Sequence, residues 1–174
     1  MNVKILILHL REDDPKKCTA MKLIRHRIAR LLHSPAQIPQ NSIVLNPFAN
    51  KALSPEDRGF IEKHGLVAID ASWHSESIRE YFAKKVRKGK HRALPYLIAA
   101  NPINYGKPTI LSTAEAIAAA LYIAGFKEDA EKVMSVFKWG PTFLNLNREL
   151  LSAYSKASTS SEVVKIQFEF MKQK

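Results

Sequence analysis

The sequence predicts an α/β fold in which a parallel sheet is followed by a helical C-terminal half. Residues 3–8 and 66–70 form short, nearly continuous apolar runs, which are typical of strands buried on both faces. Helical patterns separate the runs, an order typical of parallel strands joined by helices. After residue 100, helix-start signals and apolar residues at helical spacing dominate. The 174 residues suffice for one domain or two small lobes.

The first hundred residues are predicted to alternate between strands and helices. Apolar side chains recur every three or four residues from Ile24 to Leu32, which indicates one helical face. Ser54-Pro55-Glu56-Asp57 has the cap, proline and acidic first turn of a helix start, and Gly65 ends that helix. In chain order we predict a strand at residues 3–8, a helix from 14 to 33, a strand at 42–45, a helix at 54–64, a strand at 66–70, a helix at 74–86, a basic turn at 88–90 and a strand at 94–100.

The second half is predicted to be helical. Ser112-Thr113-Ala114-Glu115 is a capping box that begins an alanine-rich helix ending at Gly125. Further helices are predicted at residues 128–137 and 142–154. Residues 161–174 alternate like a strand but begin like a capped helix, and we favour the helix. These patterns divide the chain into an N-terminal α/β domain, residues 1–93, and a mainly helical C-terminal domain, residues 94–174.

The charge favours a polyanionic partner, most simply RNA. Lysine and arginine total 27 against 16 acidic residues, a net charge of +11. Residues 1–100 carry 18 of the basic and 9 of the acidic side chains, so the excess lies in the first half. There the basic residues cluster in two acid-free runs, at residues 16–30 and 84–92. Clustered positive charge is the electrostatic footprint of nucleic-acid binding, although general solubility is an alternative explanation.

The sequence lacks the motifs of several common classes of enzyme and binding protein. The sequence has no glycine-rich dinucleotide or phosphate loop and no metal-ligand spacing among its six histidines. We therefore expect no metal. The one cysteine, Cys18, excludes an internal disulfide and leaves a nucleophile or a small buried side chain as alternatives. No run is long enough to span a membrane and none resembles a signal peptide, so we expect a cytoplasmic protein.

Seven sequence motifs occur together along the chain. They are Asp-Pro-Lys-Lys-Cys-Thr at 14–19, Leu-Asn-Pro at 45–47, Asp-Ala-Ser-Trp at 70–73, Leu-Pro-Tyr-Leu-Ile-Ala-Ala-Asn-Pro-Ile-Asn-Tyr-Gly at 94–106, Leu-Ser-Thr-Ala-Glu-Ala at 111–116, Phe-Lys-Trp-Gly at 137–140 and Phe-Leu-Asn-Leu-Asn at 143–147. Together they resemble the small-subunit (16S/18S) ribosomal RNA aminocarboxypropyltransferases, over about residues 1–156. The set is specific because the motifs are long and occur in the right order.

The resemblance implies a fold similar to SPOUT methyltransferases, with a deep trefoil knot. It implies that S-adenosylmethionine donates its 3-amino-3-carboxypropyl group, not its methyl group. The acceptor would be ring nitrogen 3 of an N1-methylpseudouridine in small-subunit rRNA, with methylthioadenosine as the by-product. The expected partner is that rRNA or the pre-ribosomal subunit, and we expect the protein to be a monomer.

The resemblance also implies roles for individual residues. Asp70, at the end of a predicted strand, is the candidate catalytic group, either as a general base or by orienting the cation. Trp73 would cover the sulfonium with its indole face. The expected cofactor-binding residues are Thr19, Leu45, Pro47, Ile69, Trp73, Leu94, Tyr105, Ser112 and Thr113. The expected RNA-binding residues are Lys17, Lys22, Arg25, Arg30, Lys85, Lys88, Lys90 and Arg92.

Two other functions remain open from the sequence. One is a SPOUT-type RNA methyltransferase, which would release S-adenosylhomocysteine. The other is a ribosome-assembly factor that binds RNA without catalysis and needs no apolar adenine pocket. The reaction products would distinguish a methyltransferase from an aminocarboxypropyltransferase. Cofactor binding would distinguish an assembly factor from either enzyme.

Overall fold

The computed structural model describes residues 2–10, 18–71, 76–108 and 110–173. Five strands lie in these ranges: β1 Ile5–His9, β2 Arg30–Leu32, β3 Ile43–Leu45, β4 Leu66–Asp70 and β5 Lys90–Arg92. The α-helices are α1 Thr19–Arg25, α2 Arg58–His64, α3 Glu76–Lys85, α4 Thr113–Ile123, α5 Lys127–Ser135, α6 Gly140–Leu146, α7 Arg148–Lys156 and α8 Ser160–Lys172. Short 3-10 helices cover Pro35–Gln37 and Pro55–Asp57.

The strands form one parallel sheet in the order β2-β1-β4-β3-β5. β1 pairs with both β2 and β4, and its last residue, His9, lies opposite Asp70 at the end of β4. The predicted α/β class and parallel sheet are confirmed. The predicted strands at residues 3–8, 42–45 and 66–70 correspond to β1, β3 and β4.

Helices cover both faces of the sheet. Leu6 and Leu8 point to the face covered by α3, where Ile78 and Phe82 are buried with them. The opposite face, which includes Ile5 of β1, packs against α1, α2 and the C-terminal helices in a second cluster. The helical half therefore shares a core with the sheet, and the boundary between residues 1–93 and 94–174 stays a prediction. No helix in the described ranges has the length and apolar character needed to cross a membrane.

The first helix is much shorter than predicted. It ends in a Schellman motif, in which the Ile28 N–H donates to the Leu23 carbonyl and the Arg27 N–H to the Ile24 carbonyl, both at 3.0 Å. Arg27 adopts the left-handed conformation, with φ of 59°, at the position that usually holds glycine. The predicted helix to residue 33 is wrong because the chain reverses here and forms β2.

β5 was not predicted, because its sequence is entirely polar. The expected basic turn at residues 88–90 is a bend at Lys88 and Gly89, and a strand begins at Lys90. Gly89 precedes it with φ of 85°, and a Cβ there would lie 2.4 Å from Val44 Cγ2. Glycine is therefore required where the chain enters the sheet edge. Polar side chains are common on edge strands, which lack a second neighbour.

The predicted strand at residues 94–100 is wrong, because helix side chains replace the partner strand. Asn147 pairs with Ile98 as a backbone would: its Oδ1 accepts from the Ile98 N–H and its Nδ2 donates to the Ile98 carbonyl, both at 2.8 Å. The Tyr154 hydroxyl donates to the Tyr96 carbonyl at 2.9 Å. The segment therefore takes backbone partners from the helical half without joining the sheet.

The helix-start signals agree with the structure. Ser54 and Asp57 form one capping box, and Ser112 and Glu115 form another. The predicted helix at residues 142–154 is two helices, α6 and α7, separated at Asn147. The ambiguous tail is helical, as favoured, in α8.

A partly buried ion pair joins β5 to the start of α2. Arg92 Nε lies 3.0 Å from Asp57 Oδ1, and the Ser54 N–H donates to Asp57 Oδ2 at 3.1 Å. The Asp57 side chain is only 1% exposed and that of Arg92 is 12% exposed. The guanidinium therefore compensates a carboxylate that water cannot reach.

Substitution of Arg27 by glycine is expected to stabilise the protein by about 0.5–1 kcal/mol, because relief of left-handed strain exceeds the added flexibility of the unfolded chain. Denaturant unfolding measures the change. Arg27→Ala, which keeps a Cβ, is the matched control and should bring no such gain. Equal stability of the two variants would contradict the assignment.

The Arg92→Ala variant is expected to lose about 3 kcal/mol of unfolding free energy, because Asp57 stays buried without its counter-charge. Lys85→Ala removes an exposed cation nearby and should change stability by less than about 0.5 kcal/mol. Urea unfolding of both variants provides the comparison. A stable Arg92→Ala protein would show that the ion pair is dispensable.

Candidate active site

The carboxyl ends of the parallel strands lie at one edge of the sheet, where ligands bind in α/β folds. Asp70 ends β4 and His9 ends β1 beside it. The N-terminus of α4 reaches this edge, since Thr113 Oγ1 bonds to Asp70. The N-terminus of α1 reaches it as well, because the Ala114 N–H of α4 donates to Thr19 Oγ1 at 3.2 Å. Residues far apart in the sequence thus meet at Asp70.

Asp70 is 2% exposed, and both of its carboxylate oxygens accept hydrogen bonds. His9 Nδ1 lies 2.7 Å from Oδ2, and the Cys18 thiol donates to the same oxygen at 3.2 Å. Thr113 Oγ1 donates to Oδ1 at 2.7 Å. Three bonds leave one of the roughly four acceptor directions of a carboxylate. Asp70 therefore joins β4, β1, α1 and α4 at one buried negative charge.

The first turn of α4 offers a donor beside this charge. The Glu115 N–H donates to Ser112 Oγ within the capping box, and the Ala114 N–H donates to Thr19. Among the described residues, the Thr113 N–H has no acceptor. A free N–H at the positive end of a helix is suited to an anion. Negative and positive potential thus lie side by side.

Cys18 is held as a neutral thiol. Burial raises the pKa of the Cys18 thiol above its usual 9.0, and the nearby Asp70 carboxylate raises it further. The N–H groups of Met21 and Ala20 act in the opposite direction but are outweighed. Because the thiolate is the nucleophile, this environment disfavours covalent chemistry at Cys18.

The donor atoms of His9, Cys18 and Asp70 lie within 4.8 Å of one another. These side chains are of the types that bind zinc. Their mutual hydrogen bonds account for the same arrangement, and the expectation of no metal stays a prediction.

A second buried carboxylate, Glu115, holds the loop at residues 101–106. It accepts hydrogen bonds from the N–H groups of Ala100 at 2.7 Å, Asn101 at 3.1 Å and Ser112 at 2.9 Å, and from Asn101 Nδ2 at 2.6 Å. The sequence predicted only the capping bond to Ser112. A carboxylate within an alanine-rich, buried helix was the signal that Glu115 has a second role.

The other expected cofactor-binding residues differ in their surroundings. Leu45 and Ile69 are buried at strand ends, and Leu94 is half-buried against the helical core. Pro47 and Tyr105 are exposed, Tyr105 by 62%. These two do not close a pocket here, and the cofactor-binding roles stay predictions. Trp73 lies outside the described residues.

Several of the expected RNA-binding residues contact other groups of the protein. Lys22 Nζ lies 5.1 Å from the centroid of the Phe137 ring, and Lys90 Nζ lies 4.7 Å from that of Phe60. Lys88 Nζ donates to the Ala36 carbonyl at 2.7 Å. Arg92 forms the ion pair with Asp57 described above. The three lysines keep their ammonium groups near the surface, whereas the Arg92 side chain is held in the ion pair that stabilises the fold.

The remaining expected RNA-binding residues are at the surface or undescribed. Arg25, Arg30 and Lys85 are exposed. Lys17 lies outside the described residues. The distribution agrees with a positive surface on the N-terminal half, and which residues contact RNA stays a prediction.

Comparison with known proteins identifies two matching family models. The model described as "Ribosome biogenesis protein, C-terminal" matches residues 43–171. The model described as "Possible Fer4-like domain in RNase L inhibitor, RLI" matches residues 3–37. A four-iron cluster is normally held by four cysteines, and the chain has only Cys18. The second match therefore indicates sequence similarity without the ligands of such a cluster.

Curated relatives align with this chain over nearly the full length of both proteins. The chain is 53% identical over 167 residues to the 16S rRNA aminocarboxypropyltransferase of Methanopyrus kandleri, covering 96% of this chain and 98% of the relative. The enzyme of the same description from Methanothermobacter thermautotrophicus is 52% identical, covering 97% and 99%. The solved structure of the SAM-dependent rRNA:acp-transferase Tsr3 from Vulcanisaeta distributa superposes with a TM-score of 0.86 at 42% identity, covering 99% and 98%. By its fold, its near-complete coverage and its sequence identity, the chain belongs to the family of 16S rRNA aminocarboxypropyltransferases.

Proposed function

We propose that the protein transfers the 3-amino-3-carboxypropyl group of S-adenosylmethionine to ring nitrogen 3 of an N1-methylpseudouridine in small-subunit rRNA, with release of methylthioadenosine, during ribosome biogenesis. The observation that carries the proposal is the buried Asp70 carboxylate beside the free N–H at the start of α4. The descriptions of the full-length relatives support the reaction.

The charges at this edge are suited to the donor. S-adenosylmethionine carries a sulfonium cation and a carboxylate on the same chain. Asp70 supplies a fixed negative charge for the cation, and the Thr113 N–H at the N-terminus of α4 supplies a donor for the carboxylate. Ser112 and Thr19 complete the polar side of the site in this proposal. The charges of the site thus match those of the donor, and the labelling experiment below determines which of its carbons is transferred.

The apolar side of the proposed site is built from loops that follow the strands. Leu45 and Pro47 follow β3, and Leu94 follows β5, its neighbour in the sheet. Trp73 and Tyr105 would add aromatic faces that exclude water and attract the sulfonium. The carbonyl of Ile69 would accept from the ribose hydroxyls.

When bound, S-adenosylmethionine would supply a carbon activated by the sulfonium: the acceptor nitrogen, after losing its proton to solvent, would form the C–N bond while the C–S bond breaks and its electron pair leaves with neutral methylthioadenosine. The chain then needs to orient the donor and exclude water, and positioning can provide much of the rate. Asp70 is enclosed by His9, Cys18 and Thr113. This enclosure favours orientation of the cation over proton abstraction as its role.

The wider organisation is proposed from the same family resemblance. We propose a SPOUT-like trefoil knot, and the insertion of β4 between β1 and β3 is consistent with such a rearranged connection. Residues 1–93 would bind RNA and the donor, and residues 94–174 would complete the donor site. The protein would act in the cytoplasm as a monomer on the rRNA or the pre-ribosomal subunit.

The reaction is tested with S-adenosylmethionine labelled separately in its methyl and carboxyl groups, using small-subunit rRNA that lacks the modification. We expect the carboxyl label in RNA and the methyl label in methylthioadenosine, because the C–S bond to the larger group breaks. Hairpins with uridine or N1-methylpseudouridine test the acceptor. Methyl label in RNA would identify a methyltransferase, and RNA binding without donor binding would leave an assembly factor.

The Asp70→Asn variant is expected to lose about 10- to 100-fold in donor affinity or turnover, the effect of one charged interaction. Asparagine keeps the size and one acceptor oxygen, so unfolding measurements should show a smaller defect than the assay. Glu80→Gln, which neutralises an exposed carboxylate on α3, is the matched control. Full activity of Asp70→Asn would remove Asp70 from the site.

Substitution of Cys18 by serine is expected to retain transfer within about tenfold, because the thiol is neutral and only donates a hydrogen bond to Asp70. For the same reason iodoacetamide should react with Cys18 more slowly than with free cysteine at neutral pH. The rate should still be rising as the pH passes 9, where the rate of a thiol with an ordinary pKa is already levelling off, since the pKa is raised. Rapid alkylation at pH 7 together with inactive Cys18→Ser would instead indicate a nucleophilic cysteine.

A further inference from the structure

A groove of about 610 Å³ lies at the edge of the sheet opposite Asp70. It is formed around the amino end of β1, the end of α1 and the start of β2. A strand rises about 3.3 Å per residue, so the length of β1 from Ile5 to His9 separates the groove from the candidate active site by about 13 Å. The groove is therefore a distinct feature of the surface.

The lining of the groove is strongly basic. It contains no carboxylate, and its cations come from four different parts of the fold. Within the described part of the chain, none of these cations forms an ion pair. Unpaired like charges in a concave surface attract an anion. The basic residues that line it are Lys4, His26, Arg27, Arg30 and Lys132.

Arg27 provides a second, independent observation. It occupies the left-handed position of the Schellman motif that ends α1, where glycine would avoid backbone strain. The fold therefore does not require an arginine side chain there, yet the side chain lines the groove. A cation retained at a strained position is suited to binding.

Aliphatic residues also line the groove. They are Ile24 and Ile28, together with Ile5 of β1, which is almost fully buried. A volume of this size accommodates a nucleotide. A lining that combines aliphatic and basic residues matches a base and ribose flanked by phosphates.

We propose that this groove binds one unpaired nucleotide of the rRNA, with its flanking phosphates on the basic residues. The identity of the RNA rests on the proposed function, whereas the groove and its charge do not. An unpaired nucleotide is required because the bases of a duplex are stacked and cannot reach the aliphatic residues of the groove. The groove would anchor the rRNA at a distance from the acceptor base.

The test uses a groove variant, Lys4→Gln with Arg30→Gln and Lys132→Gln, and a control variant, Lys156→Gln with Lys165→Gln and Lys172→Gln. Both lose three positive charges, but the control residues lie on α7 and α8, away from the groove. Fluorescence anisotropy with a labelled oligouridylate measures affinity across a salt series. The groove variant should bind about tenfold more weakly, and the salt slope should fall by about 2, since each phosphate contact contributes about 0.7.

The Arg27→Gly variant separates binding from folding. We expect weaker oligouridylate binding, by about threefold, in a protein whose unfolding midpoint does not fall. Equal affinities of the groove and control variants would overturn the proposal. If the groove variant lost as much affinity for blunt-ended duplex RNA as for oligouridylate, the requirement for an unpaired nucleotide would be overturned.

Transfer assays keep this proposal separate from the proposed function. The groove variant should raise KM for rRNA while kcat and donor binding stay unchanged. The wild-type protein could transfer no aminocarboxypropyl group while the groove variant still binds oligouridylate more weakly than the wild type. In that case only the proposed function fails. A groove variant with wild-type RNA affinity and KM would overturn the groove site alone.

Discussion

The rest of the structure depends on a buried negative charge that must be fully hydrogen-bonded. Asp70 is removed from water, and a buried carboxylate without partners would cost several kcal/mol, on the order of 5. Its partners come from β1, α1 and α4, so the need to satisfy one side chain fixes where these elements meet. The same constraint leaves the N-terminus of α4 beside a fixed anion. Structural and proposed chemical roles are therefore inseparable at this residue.

The sequence was most informative where apolar patterns and caps act locally. β1, β3 and β4 were predicted because their apolar runs have no other explanation in a globular chain. The capping boxes at Ser54 and Ser112 were predicted because they involve residues only three positions apart. The end of α1 was missed because an arginine occupies the position where glycine usually marks the end of a helix. β5 was missed because all of its residues are polar.

The candidate site was predictable in part. Asp70 was identified because it follows a buried strand, and the family resemblance added the residues around it. His9 was missed because nothing local links it to Asp70; only the register of β1 and β4 does. Asn147 was missed because an asparagine between helices usually indicates a cap, whereas here it replaces a strand partner for Ile98. Such tertiary hydrogen bonds are determined by the assembled fold.

The segment at residues 96–101 has a consequence for biosynthesis. Its backbone partners belong to residues made later, including Glu115, Asn147 and Gln167, whose Oε1 accepts from the Tyr96 N–H at 2.8 Å. During translation all five described strands leave the ribosome before these helices do, because they precede them in the sequence. Residues 96–101 have to wait for the C-terminal helices. A chain that ends before α8 would contain all five described strands and Asp70, yet it would lack the hydrogen bond from the Tyr96 N–H to Gln167 that helps to hold residues 96–101.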